Sequence, residues 1–254
     1  RGNSAGLAGI PRRRYQADAM QPIADALCTL ADETGAARVL EVGCGTGRWL
    51  TDLAAPSRGV VGIDASFGML RRAREQGLRA GLVHAVAEAL PLPALSADML
   101  YVVTPRHPFG ESRRFMAEAG RVLRPGGLLG LVGMAHPQPS DWYVYEYFEG
   151  TYETDAARFA PEATVREWLV AAGFRQVESR TAYDIVERFA GREVFGNPFM
   201  RKESTSQLVL LTDEAYQAGL ARIRAAIAEA EAAGRQIVFT SSLRLMLITA
   251  RRPA

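Results

Sequence analysis

The chain has only two cysteines, one lysine and three histidines in 254 residues. Each scarcity removes a class of chemistry. Cys28 and Cys44 are too few and too far apart for a metal-ligand spacing or a disulfide framework. A Schiff-base or lysine-base mechanism would rest on Lys202 alone. No apolar run is long enough to span a membrane. Residues 1–10 lack the apolar core of a signal peptide, so the expectation is a soluble, cytoplasmic protein. The missing initiator methionine reads as a trimmed start. Charge is nearly balanced at +2, and the arginines are scattered apart from Arg12-Arg13-Arg14 and Arg71-Arg72. That is too thin for a nucleic-acid stripe. With 48% hydrophobic residues, the composition supports one large α/β domain, or a core with a small cap.

Against these absences stands one stretch, Val39-Leu40-Glu41-Val42-Gly43-Cys44-Gly45-Thr46-Gly47-Arg48-Trp49-Leu50. Val39, Leu40 and Val42 predict a strand, and Leu50, Leu53 and Ala54 share one face of a following helix. Thr46 is placed to cap that helix. A glycine turn between strand and helix lets a ligand lie against bare backbone. It also aims the free N–H groups of the helix start at that ligand. Glu41, two residues before the first glycine, reaches the same crevice, which suits a cationic ligand. Arg48 occupies the place of the last glycine of G-x-G-x-x-G, so a dinucleotide pyrophosphate fits poorly. The plain alternative is an ordinary strand–turn–helix.

A second strand, residues 59–64, ends in Asp64, about twenty residues after the turn. An acid there commonly accepts hydrogen bonds from ribose hydroxyls; alone it would serve as a helix cap. Ser66 caps the next helix, with Met69, Leu70 and Ala73 on its buried side. Residues 81–84 read as a third strand in which His84 packs, and residues 98–104 as a fourth. A helix then carries Phe115, Ala119, Val122 and Leu123 on one face, and residues 128–134 form a fifth strand.

The first of these stretches resembles motif I of the class I methyltransferases that use S-adenosylmethionine, in the branch that acts on small molecules. Asp64-Ala65-Ser66 with Met69-Leu70 is similar to motif II, and Ala87-Glu88-Ala89-Leu90-Pro91 to the loop beside the adenine. The resemblance implies a cofactor site from Glu41, Gly43, Cys44, Gly45, Gly47, Asp64, Ala65, Met69, Ala87 and Glu88; Tyr15, as a candidate for closing over the ligand, and Thr104, at the end of the fourth strand, are expected beside it. Glu41 would help hold the ammonium end and Met69 would pack near the adenine, although plain core packing also explains Met69. The sequence departs from the family at Val86, where an acid often meets the adenine amino group. The product would be S-adenosylhomocysteine. Arg12-Arg13-Arg14-Tyr15 could form a lid; for the arginines a solvated basic turn is the simpler reading.

Alternating helices and strands predict a doubly wound, mostly parallel sheet. The resemblance implies seven strands, the last antiparallel. The expected layout is a lid and helix over residues 1–37, a Rossmann-like core over 38–186 and 236–254, and a cap over 187–235. Within the core, residues 135–160 hold an aromatic cluster, including Trp142, Tyr143, Tyr145, Tyr147 and Phe148. It reads as a substrate loop or as a satellite core under a long loop. Strands are expected within residues 175–186 and over 243–250, with an irregular stretch over 187–211 and an amphipathic helix over 213–233. The apolar face of that helix suits either the aromatic segment or self-association, as a monomer or homodimer respectively.

Methyl transfer to a small molecule is the implied reaction. His107 and His136, at the ends of the fourth and fifth strands, are candidate bases, with Tyr143 as a polar tip in the pocket. A satisfied loop histidine is the plainer reading of each. The rivals are a nucleic-acid methyltransferase, against which the weak charge argues, and a cofactor-binding subunit without turnover.

Overall fold

The computed structural model describes residues 20–103, 112–134 and 142–254. Tyr15, Thr104, His107 and His136 lie outside the described residues.

Helix α1 (Gln21–Glu33) begins on Pro22, and Ile23, Leu27 and Leu30 on its buried side rest on the sheet. Strands β1 (Arg38–Val42), β2 (Gly59–Asp64), β3 (Gly81–His84), β4 (Ala97–Val103) and β5 (Leu123–Met134) run parallel. They are joined through α2 (Arg48–Leu53), α3 (Phe67–Glu75) and α4 (Ser112–Val122). After β5 come α5 (Tyr143–Tyr147), α6 (Thr151–Arg158), α7 (Glu162–Ala171) and β6 (Arg175–Ala190). Two 3-10 turns, α8 (Ser206–Val209), α9 (Asp213–Ala232) and β7 (Val238–Arg251) complete the chain. The sheet order is β3-β2-β1-β4-β5-β7-β6, with β7 antiparallel to both neighbours. This is the expected seven-stranded α/β sheet.

Side chains alternate across each strand, and the two faces carry separate cores. Val39, Met99, Tyr101 and Leu247 meet α1 and α2 on one face. Leu40, Leu100, Leu131 and Ile248 meet α4 and α7 on the other. A third cluster lies in the segments added after β5. There Trp142, Tyr143, Val144 and Phe148 pack against Leu208, Leu220, Ile223, Ile227 and Phe239. Each such side chain contributes about 1.5–3 kcal/mol when fully buried.

Several expectations need correction. Residues 135–160 were expected as one aromatic loop, but residues 143–147 and 151–158 are helical and feed the third cluster. The apolar face of α9 is therefore covered within the chain, by the aromatic segment. Phe148 stacks on Tyr216 at 5.7 Å and lies flat on Gly219, where a Cβ would stand 2.2 Å from its ring. The strand expected to stop by residue 186 runs to Ala190, and its partner starts at Val238 rather than 243. Met134, the last residue of β5, pairs with Leu245. Among the described residues, 238–244 and 184–190 consequently form a two-stranded arm beyond the carboxyl edge of the parallel strands. His84 is exposed instead of packed, because β3 is an edge strand.

Candidate functional site

The carboxyl ends of β1 and β2 carry the motif residues. Gly43, Gly45 and Gly47 have φ of +77°, +56° and +78°, the left-handed region in which glycine is free of Cβ strain. A Cβ on Gly43 or Gly45 would meet nothing within 4 Å, whereas one on Gly47 would stand 2.3 Å from Leu78 Cδ2. Among the described residues the first two glycines thus face open space, and the third lies against the Leu78 side chain. Gly47, not Thr46, is the N-cap of α2, with no side-chain capping bond.

Four N–H groups of this turn are used internally. Those of Gly43 and Cys44 donate to Ile63 O at 2.7 and 3.0 Å, and that of Gly47 to Cys44 O at 2.8 Å. Asp64 accepts from Gly45 N and Ser66 N, both at 2.7 Å, and so ties the turn to the end of β2. The N–H groups of Gly43, Cys44, Gly45 and Gly47 are thus spent within the chain, and at Gly43 and Gly45 the turn presents bare Cα surface for close approach. Each Asp64 oxygen has a second acceptor site left for a hydroxyl. The cap role weighed for Asp64 falls to Ser66, whose Oγ accepts from Met69 N.

Glu41 is 1% exposed, and the Tyr101 hydroxyl, opposite it in the β1–β4 register, donates to its Oε2 at 3.0 Å. Burial pushes its carboxyl up to about 8; the Tyr101 bond pulls the other way, and Asp64 and Asp52 add to the rise. A buried carboxylate whose described partner is one neutral hydroxyl costs free energy unless a cation reaches it. Cys44 is buried beneath the turn, its thiol pushed up by burial and by Glu41.

Beside β2 and β3, Ala65 is exposed, and its carbonyl accepts from His84 Nε2 at 3.0 Å. Phe67 stands edge-on to His84 at 5.8 Å, and both Phe67 and Val86 are exposed. Met69, Ala87 and Glu88 are half-buried on the same edge. Tyr143 lies elsewhere. It is 2% exposed in the third cluster, and its hydroxyl accepts from Asn197 Nδ2 at 3.0 Å. In place of the expected polar pocket tip, it is a packing residue pinning α5 to the turn at 197. Tyr101 was not anticipated as a site residue; its signal was only the adjacency of β1 and β4.

Among the described residues no helix is long and apolar enough to cross a membrane, and no group of three His, Cys, Asp or Glu side chains could hold a metal ion.

Comparison with known proteins agrees with this geometry. A methyltransferase-domain family profile matches residues 39–127. An uncharacterized methyltransferase of Synechocystis is 31% identical over 145 residues, covering 55% of this chain and 68% of that protein. A demethylmenaquinone methyltransferase of Tropheryma whipplei is 33% identical over 115 residues, 44% of this chain and 48% of that one. Beyond the first of these, the chain spans about half or less of the curated relatives it matches. The crystal structure of a methyltransferase from an antibiotic biosynthesis pathway of Anabaena variabilis superposes with a TM-score of 0.64 at 20% identity, over 95% of this chain and 98% of that one. With the glycine turn, Glu41 and Asp64 in the order of motifs I and II, and with these relatives, the chain belongs to the class I S-adenosylmethionine-dependent methyltransferases.

Proposed function

We propose that this protein transfers a methyl group from S-adenosylmethionine to a small-molecule acceptor, most readily at oxygen or nitrogen. The observation that carries the reading is the open space over Gly43 and Gly45, bounded by a buried carboxylate on one side and Asp64 on the other. That setting fits the cofactor. Gly43 and Gly45 would take its methionine part on bare backbone, Glu41 would hold its ammonium, and Asp64 would accept from its ribose hydroxyls. Ala65 and Met69 would border the adenine, with Ala87 and Glu88 across the edge. The bound cofactor supplies a methyl carbon already activated by its sulfonium.

The chain's work is alignment and exclusion of water, and orientation alone can supply about 7–11 kcal/mol. The segments after β5 form the acceptor side, as a cap over residues 187–235 facing the aromatic segment. Near-neutral charge favours a small molecule over a nucleic acid. A cytoplasmic monomer or homodimer remains our proposal for its state. Incubation with S-adenosylmethionine and a library of small hydroxyl and amine compounds tests the function. Acceptor-dependent formation of S-adenosylhomocysteine supports it. Tight cofactor binding without turnover on any compound would favour the non-catalytic subunit.

Glu41 gives this reading a pH signature. Below about pH 8 the free protein holds a proton on Glu41, which must leave before the carboxylate can pair with an ammonium. Affinity therefore rises with pH, by up to about tenfold per unit. The groups that face Glu41 are Tyr101 on β4, Asp64 on β2, Asp52 on α2 and Cys44 in the turn. Calorimetry between about pH 5.5 and 6.7, where the ligand's own ammonium stays charged, should show this rise. Glu41→Gln should flatten it. Tyr101→Phe removes the bond that favours the ionised form and should move the midpoint to higher pH. A pH-independent affinity in the unmodified protein would remove Glu41 from the site.

A further inference from the structure

The arm beyond the sheet edge carries a polar pair on an otherwise apolar face. From Tyr183 onward the β6–β7 register is unbroken, so Tyr183, Ile185, Glu187 and Phe189 share one face. Their partners on β7 are Leu245, Leu243, Ser241 and Phe239. Directly opposed residues in a sheet lie side by side on that face. Tyr183, Ile185 and Leu245 pack with the first core, whereas Phe189, Leu243 and Phe239 pack with the third. Glu187 and Ser241 therefore sit at the seam between the sheet core and the added segments, past the end of β5. The seam is partly open: Tyr183, Ile185, Leu243 and Met134 are each half-buried.

Within this seam Glu187 Oε2 is buried and has no hydrogen-bond partner among the described residues. Glu187 has no ion pair there either, although arginines are plentiful elsewhere on the chain. Burial raises its carboxyl above the usual range, and its charge is felt by the Tyr143 hydroxyl across the third cluster. Ser241 is 3% exposed. Buried polar atoms are nearly always satisfied, and a lone one calls for a reason. The contrast with Asp155 is instructive: that buried carboxylate is met by a tyrosine, a glutamine and an arginine.

We propose that Glu187, with Ser241 beside it, is the anchor of the methyl acceptor, and that the acceptor is a mainly apolar small molecule bearing an amine. This rests on the methyltransferase reading above. An ammonium or N–H group from the acceptor donates to Oε2 and supplies the missing partner, while the flanking Ile185 and Leu243 cover its hydrocarbon part. A carboxylate or phosphate compound of the same shape is repelled. The anchored amine fixes the acceptor at this seam and need not be the atom that is methylated.

The test uses two probes of matched shape and opposite charge, phenethylamine and 3-phenylpropionate, titrated into the full chain saturated with S-adenosylhomocysteine. Phenethylamine should bind at least tenfold more tightly than 3-phenylpropionate. Glu187→Gln should erase that preference and leave S-adenosylhomocysteine affinity unchanged. Because Oε2 satisfies no structural partner, the same variant should melt at the original temperature or above it. Equal binding of the probes, no binding of phenethylamine, or a melting point lowered by several degrees in Glu187→Gln would each overturn the assignment. Failure of S-adenosylhomocysteine itself to bind would instead bring down the methyltransferase reading beneath it.

Discussion

Gly45→Val will abolish cofactor binding in a protein that still folds. The Cβ position on Gly45 meets nothing within 4 Å among the described residues, so none of their atoms is displaced by the new side chain. The cost to folding is the left-handed backbone at φ +56°, on the order of 1–2 kcal/mol for a residue with a Cβ. The space the isopropyl group enters is where the proposed cofactor lies on bare backbone. We expect affinity for S-adenosylhomocysteine to fall at least about 100-fold, a loss near 2.8 kcal/mol. Calorimetry paired with circular dichroism reads both quantities. Unchanged affinity in a folded variant would move the site away from this turn.

Asp155→Ala will have the largest effect on stability. Asp155 is fully buried on α6. Its Oδ2 accepts from the Tyr145 hydroxyl at 2.7 Å and from Gln207 Nε2 at 2.5 Å, and Arg158 approaches its Oδ1 at 3.7 Å. One carboxylate thereby ties α5, α6 and α8 together. Removing it strands a guanidinium that is only 16% exposed, together with two neutral donors. Breaking a buried pair in this way costs about 3–5 kcal/mol. For a chain of this size that lowers Tm by roughly 10 °C. The loss should fall on the segments after β5, because Glu41, Gly45 and Asp64 are held by strands β1, β2 and β4. Thermal melts of the variant, with cofactor affinity measured well below the transition, separate the two effects. A shift under about 1 kcal/mol would show that the cluster is dispensable.

The parallel half of the fold was legible because its signals are local. A run of apolar residues, a glycine turn and an acid at a fixed distance lie within twenty-six residues, from Val39 to Asp64. What the sequence hid depends on partners far along the chain. Tyr101 meets Glu41 only because β4 lies beside β1. The N–H groups of Gly43, Cys44 and Gly45 are consumed by Ile63 O and Asp64, contacts that local spacing does not show. Tyr143 reads as a pocket residue until Asn197 and the third cluster, more than fifty residues later, enclose it. Gly219 inside an alanine-rich helix was a usable sign of close approach, since glycine there costs about 1 kcal/mol relative to alanine. It did not name Phe148 as the ring that rests on it. The extension of β6 through Glu187 and Arg188 was missed because two adjacent charges interrupt the apolar alternation. The ladder continues through them by pairing with Ser241 and Thr240.

The most direct test of the central claim is a crystal structure of the chain with S-adenosylhomocysteine. The account predicts the ligand against the backbone of Gly43 and Gly45, its ribose hydroxyls on Asp64 and its ammonium toward Glu41. A ligand bound anywhere else, with the glycine turn empty, would contradict it.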